Sequence, residues 1–322
     1  MARIEQLSPQ SLDTDISRAA VNTVIEGHVS VSASLRAGVR EIETVYVRRD
    51  RRDRAVQVTV DLARRRGVAV AEVSDEQIAE IASGQSHGGI AAVVGPRRFV
   101  ELTALAADRK IRTVVMLDGI EDPYNFGSCV RSLYAAGIDA LILRRRNWMS
   151  AAGVVTRASA GATELIAAAV VDTAEDAAEV FGKSGFAIAC TSDVPTAIPM
   201  RSADLRQKTF LLIGGEKRGI TRSFLSRADL ILRIPYGRST DIALDAASAT
   251  AVLAFEIQRQ RAEVKTEPGA APAVNTAPDL REDEKSAPHG RAEVEAPRSQ
   301  LSGRRGSQPD APRPRRPRQP HR

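Results

Sequence analysis

The chain has little cysteine and little histidine, two Cys and four His in 322 residues. Cys129 and Cys190 lie in apolar stretches that read as buried, and two of the histidines, His289 and His321, lie in a proline-rich tail. A disulfide framework or a zinc centre needs more than that, so neither is expected and no metal is. Long apolar runs are missing too, since nothing approaches the roughly 20 residues that cross a bilayer. Met1 to Asp15 lacks the basic-then-apolar order of a secretory signal. These absences point to a soluble, cytoplasmic protein with no membrane partner. Its length suits two ordinary domains and a tail.

Charge is unevenly placed. The net charge is +6. Beyond Arg261 stand ten of the 16 prolines, almost no large apolar residues and no periodicity. Such a segment cannot bury enough surface to offset its ordering entropy, so residues 262–322 read as disordered. Asp279, Glu282, Asp283 and Glu284 make its first part acidic, whereas from Arg298 onward it holds eight Arg against one acid, Asp310. An electrostatic arm for RNA phosphates and a plain solubilising tail are both open readings of that end. The body is only mildly basic, so bulk charge does not mark a nucleic-acid protein.

The body alternates strand and helix. A small α/β unit is expected over residues 16–95, with a helix at Val29–Ala37 stopped by Gly38, strands at Glu43–Arg48, Val68–Val73 and Gly89–Val94, and helices at Asp53–Arg66 and Asp75–Ala82. Gly95-Pro96 breaks the pattern, and residues 96–109 link it onward. A second series fills 110–261. Its strands are expected at Thr113–Leu117, Ala140–Leu143, Leu165–Val171, Phe186–Thr191, Phe210–Ile213 and Leu230–Ile234. Its helices are expected at Gly127–Ala136, Ser150–Ala160, Ala174–Ser184 and Asp241–Arg261. Short apolar strands between helices indicate a mostly parallel sheet covered on both faces.

In such a sheet ligands bind beyond the carboxyl ends of the strands, and three loops there are unusual. The first, Asp118 to Arg131, turns through Asp122-Pro123 and enters a helix near Gly127. Asn125 can fix it through backbone groups, and Arg131 can reach back to its mouth. The second, Phe210 to Thr221, spaces Gly214 and Gly219 as a phosphate-binding loop does, but Ile220 stands where that loop needs Lys. ATP or GTP hydrolysis is therefore rejected, and no strand–GxGxxG–helix unit exists for a dinucleotide. What remains is glycine-rich backbone beside Glu216, suited to a neutral polar edge such as adenine or ribose. The third runs from Ile234-Pro235 through Leu244 into an Ala-rich helix whose small side chains permit close approach of another chain segment or a ligand. Burial of that helix in an ordinary core is an equal alternative.

Taken together, in this order and spacing, the loops resemble the three signature motifs of the SpoU (TrmH-type) branch of the SPOUT RNA methyltransferases. Asn125-Phe126-Gly127 and Arg131 carry the first. Gly214, Glu216 and Gly219 carry the second, and Ile234-Pro235 and Leu244 ahead of a helix reaching Glu256 carry the third. The likeness continues into residues 16–95, which are similar to the ribosomal-protein-like substrate-binding domain often fused in front, including Ser86-His87-Gly88-Gly89-Ile90. The resemblance implies a parallel-sheet α/β domain with a C-terminal trefoil knot, a homodimer, and S-adenosylmethionine as cofactor. It also implies methyl transfer to a ribose 2′-hydroxyl of structured RNA, rRNA ahead of tRNA. By the same likeness Gly214, Gly215, Gly219, Ile234 and Leu244 would hold the cofactor, largely through backbone groups. Arg131, Asn125 and Glu216 would form the catalytic set.

The third motif departs from the family, which usually has Ser-Leu-Asn, one residue, then Ser; here stands Ala243-Leu244-Asp245-Ala246-Ala247. A carboxylate near the target phosphate repels it unless a cation such as Arg131, Arg238 or Lys217 pairs with it. A non-catalytic RNA-binding protein of the same fold is accordingly the alternative. An enzyme methylating protein or a small molecule is a third class. His87 stands either at RNA or in a structural hydrogen bond.

Overall fold

The computed structural model describes residues 23–82, 87–144, 152–215, 219–238 and 242–264. The expected N-terminal extension and nearly all of the Pro/Arg-rich tail fall outside them. Four strands form the front sheet: β1 (Thr23–Glu26), β2 (Ile42–Arg48), β3 (Ala69–Val73) and β4 (Ile90–Val94), in the order β1-β4-β2-β3. β4 runs antiparallel to β1 and β2, and β2 is parallel to β3. The parallel pair needs a crossover, which α2 (Arg54–Arg65) supplies. It buries Val56, Thr59, Val60 and Ala63, one face of a helix at i, i+3, i+4 and i+7. α1 (His28–Ala37) ends where expected, because Gly38 adopts the left-handed conformation. α3 (Asp75–Ile81) begins at a capping box between Ser74 and Gln77. β1 was not expected; four residues are too few to show a period.

The second sheet has seven strands: β5 (Thr113–Asp118), β6 (Ala140–Arg144), β7 (Ala167–Val171), β8 (Ala187–Thr191), β9 (Ile198–Pro199), β10 (Thr209–Gly214) and β11 (Leu230–Arg233). Their order is β7-β6-β5-β10-β8-β11-β9 and every neighbouring pair is parallel. Alternate residues of β5 enter opposite cores. Val115 and Leu117 face α5 (Pro123–Ala135) and α10 (Ala246–Val264). Val114 and Met116 face α4 (Leu102–Ala107), α8 (Ala174–Lys183) and α9 (Arg222–Leu225), where Phe181 stacks on Phe210 at 5.3 Å. No helix among the described residues is long and apolar enough to cross a membrane.

Three expectations are corrected. α5 starts at Pro123 rather than Gly127, because Asp122 accepts the Asn125 N–H at 2.7 Å and Pro123 takes the first helical position. Arg131 therefore stands about two turns inside the helix and not one, at 3.6 residues per turn. α10 starts at Ala246 rather than Asp241, since the Asp245 carboxylate accepts the Ser248 N–H at 2.7 Å and caps it. Leu165 closes a short helix, α7 (Ala162–Leu165), instead of opening a strand; Gly161, at φ 80°, turns the chain into it. Within the expected helix at 150–160 the structure has α6 (Ala152–Ala158). Both sheets fall in one compact unit, with α6 against β1 and α7 against α1.

Candidate active site

β5 and β10 are neighbours, and their register sets Asp118 beside Gly214. The next residue of each chain, Gly119 and Gly215, brings the first two loops into backbone contact. A Cβ on Gly215 would run into the carbonyl of Gly119, which itself sits at φ 75°. A Cβ on Gly214 would lie 2.9 Å from the Ile220 side chain and 3.1 Å from Gly219 carbon. Gly219, at φ 59°, returns its N–H to the Gly215 carbonyl at 3.1 Å. These glycines are thus required for two loops to share one space. Glu216, Lys217 and Arg218 lie outside the described residues.

Arg131 is exposed on α5, and among the described residues it has no hydrogen bond or ion pair. Helical side chains lean toward the N-terminus, so its reach is back toward the loop mouth. Asn125 is half-buried in the first turn. The Asp122 cap fixes the loop's entry into the helix, and the Asn125 amide makes no hydrogen bond among the described residues. The Asp-Pro pair was the available signal for that cap. Ile234, half-buried, packs on the same apolar cluster as Phe126, Ile213 and Ala246. The bases of all three loops therefore rest on one core.

Leu244 is exposed, and its N–H donates to the Tyr236 hydroxyl at 3.0 Å. Any ligand taking that N–H must displace Tyr236, which sequence reasoning passed over. Asp245 is committed to its cap, and the Ser248 backbone N–H, followed by the Ser248 side chain, holds its carboxyl below the usual range. The Asp118 carboxylate grips Arg144 through two bonds of 2.9 Å at the neighbouring strand ends, a fork that apolar periodicity could not show. Thr221 caps α9 by accepting the Phe224 N–H at 3.3 Å. His87 accepts the Gly89 N–H at 3.1 Å through Nδ1, which is the structural role.

Comparison with known proteins then decides the family. The SpoU rRNA methylase family model matches residues 112–255, and the model for RNA 2′-O ribose methyltransferase substrate binding matches 24–100. The chain belongs to the SpoU methylase family. This SpoU protein is 30% identical over 260 residues to an uncharacterized tRNA/rRNA methyltransferase of Synechocystis, covering 79% of this chain and 66% of that one. It is 29% identical over 249 residues to the 23S rRNA (guanosine-2′-O-)-methyltransferase RlmB of Bordetella pertussis, covering 75% and 99%. Its fold is shared by the AdoMet-bound rRNA methyltransferase of Sinorhizobium meliloti, at TM-score 0.62 and 23% identity over 78% of this chain and 90% of that one. The SpoU methyltransferase AviRb of Streptomyces viridochromogenes shares it too, at TM-score 0.64 and 20% identity over 78% and 93%.

Proposed function

We propose that this protein transfers a methyl group from S-adenosylmethionine to a ribose 2′-hydroxyl of structured RNA, rRNA in preference to tRNA. The observation that carries the reading is the meeting of Gly119 and Gly215 at adjacent strand ends, on the core that also seats Ile234, with Arg131 exposed on the helix that follows. The residues suit the cofactor. Gly214, Gly215, Gly219, Ile234 and Leu244 bring no charged side chain, so they neither repel a sulfonium nor compete with a neutral adenine edge. When bound, the cofactor supplies a methyl group that its sulfonium has already activated.

The protein's part is alignment and care of one proton. Arg131 clamps the phosphate next to the target ribose rather than acting as base, because a guanidinium stays protonated across the working range. Asn125, whose amide is uncommitted among the described residues, and Glu216 complete the catalytic set by meeting substrate or cofactor. The altered third motif is compatible with activity, since the Asp245 carboxylate is occupied as a helix cap. The homodimer is supported by the outer face of α10, where Val252 and Phe255 are 37% and 46% exposed, and by Tyr134 of α5 at 44%. The insertion of β10 between β5 and β8, with α10 returning to α5, supports the knotted topology.

Isothermal titration with S-adenosylmethionine and its demethylated product tests the cofactor site. Saturable binding is expected for both. An enthalpically silent titration with each, in the presence and absence of RNA, would leave the non-catalytic RNA-binding protein as the reading.

A further inference from the structure

Between the two sheets lies a cluster of side chains that the loops do not use. The Glu164 side chain, on α7, is fully buried, and the side chain of Arg40, which follows α1, is 7% exposed. The Arg40 Nε donates to Glu164 Oε2 at 2.9 Å and its Nη1 to the Gly95 carbonyl at 3.0 Å. The Ser34 hydroxyl of α1 donates to the same Glu164 oxygen at 3.1 Å, and the Thr156 hydroxyl of α6 donates to the other at 3.3 Å. A second ion pair, Arg157 to Glu26 at 2.8 Å, ties α6 to β1. The connecting segment is held as well: Arg97 donates to the Ile166 carbonyl at 2.7 Å, and the Val100 N–H to the Ala168 carbonyl at 2.9 Å.

The backbones also approach more closely than any side chain allows. A Cβ on Gly153 of α6 would lie 2.5 Å from the Val24 carbonyl oxygen of β1, and one on Gly161 would run into Ala33 of α1. The opposite side of α6 meets the catalytic domain in the same manner. A Cβ on Gly127 of α5 would lie 2.5 Å from Ala158 Cβ and 2.9 Å from the Val155 carbonyl. α6 is therefore gripped by glycine contacts on both sides, with the front sheet on one and the helix of Arg131 on the other. Packed elements of this kind shift between discrete arrangements and do not stretch.

We propose that Glu164 is a positioning residue: through Arg40 and Ser34 it locks the front sheet onto α6 and α7, and so fixes where RNA held by that sheet stands relative to Arg131. The front sheet is then a built-in part of the site and not a tethered sampler. This rests on the methyltransferase reading for its catalytic consequence, but the lock itself is a property of the chain with or without substrate. Taking away the carboxylate leaves Arg40 buried without its counter-charge, which frees the sheet to swing. RNA would still bind the front sheet, while the ribose would reach the site less often, so the loss falls on kcat and not on affinity.

The test uses the full chain carrying spin labels at Glu80 of α3 and Lys183 of α8, both exposed; the native cysteines are buried. The parent protein should give one narrow distance distribution, broadened in Glu164→Gln and Arg40→Met and kept narrow in Arg40→Lys. Ser34→Ala, which keeps both charges, should broaden it less and serves if the stronger variants do not fold. With RNA substrate, kcat should fall at least 10-fold in Glu164→Gln and Arg40→Met, with RNA and cofactor affinities within 2-fold of the parent and activity largely kept in Arg40→Lys. A lowered melting temperature with unchanged distances, and an unchanged kcat well below melting, would overturn the proposal. If the parent protein transfers no methyl group, the function reading fails alone. The distance distributions then still decide the lock.

Discussion

Replacing Gly127 by Ala sets two effects of known size against each other. Gly127 lies inside α5, where Ala is favoured over Gly by about 0.8–1.0 kcal/mol in a helix interior. Against this, the added Cβ meets Ala158 Cβ at 2.5 Å, the Val155 carbonyl at 2.9 Å and the Ser159 nitrogen at 3.0 Å. Two of the three are backbone atoms of α6 and its continuation, which cannot rotate aside, so the upper half of the usual overpacking cost of about 1–3 kcal/mol applies. A net loss of about 1–2 kcal/mol is expected. For a folded body of this size that lowers Tm by roughly 2–8 °C, at about 2–4 °C per kcal/mol. Gly182 of α8 is the matched control, because a Cβ there meets only Ile188 at 3.8 Å. Gly182→Ala should raise stability by up to about 1 kcal/mol. Calorimetric melting of both variants is the assay. A Gly127→Ala protein melting at or above the parent would refute the claim that this glycine exists for helix contact. Methyl transfer should also fall in Gly127→Ala at temperatures where it is fully folded, since the helix of Arg131 is displaced.

Other expected outcomes concern the loops. Tyr236→Phe removes the hydroxyl competing for the Leu244 N–H; one net hydrogen bond of about 0.5–1.5 kcal/mol makes cofactor binding about 2- to 12-fold tighter by calorimetry. Equal or weaker binding would show that Tyr236 braces the loop instead. Asp245→Asn should keep the cap, whereas Asp245→Ala should lose about 1 kcal/mol in urea melts. Because the Asp245 carboxyl titrates below its ordinary range, its contribution is whole above that range and is lost as pH falls through the lowered value. The parent should therefore lose stability relative to the Asn variant as pH falls through that value; a parent–Asn difference that does not change with pH would contradict the assignment. Arg131→Lys should retain measurable transfer and Arg131→Ala should not; equal loss in both would argue for proton removal by the guanidinium and against the clamp.

Much of the parallel sheet was legible because strands such as β5 and β10 are apolar at nearly every position, as burial on both faces demands. Helix starts were less legible. At α5 the Asp122-Pro123 pair marks the start while Gly127 lies inside the helix, and at α10 the apolar run continues back across the Asp245 cap without a break in pattern. α7 leaves no periodic signal, since four residues hold barely one turn. The glycine spacing of the second loop was legible as a loop, but its reason, the approach of Gly119, depends on β5 and β10 being neighbours across almost a hundred residues of chain. The Arg40–Glu164 lock and the Asp118–Arg144 fork are similarly long-range. A single charged residue in a sequence carries no sign of its partner.

The central claim is that three strand-end loops hold a methyl donor while Arg131 faces a ribose. Alkaline hydrolysis tests it most directly, because a 2′-O-methyl group removes the hydroxyl that cleaves the adjacent phosphodiester. RNA from cells lacking this protein, treated with the purified protein and methyl-labelled S-adenosylmethionine, should yield its label in alkali-stable dinucleotides, and not with Arg131→Ala. Label in mononucleotides would mean methylation of a base, and label that survives nuclease but not protease would mean a protein substrate; either result contradicts the account.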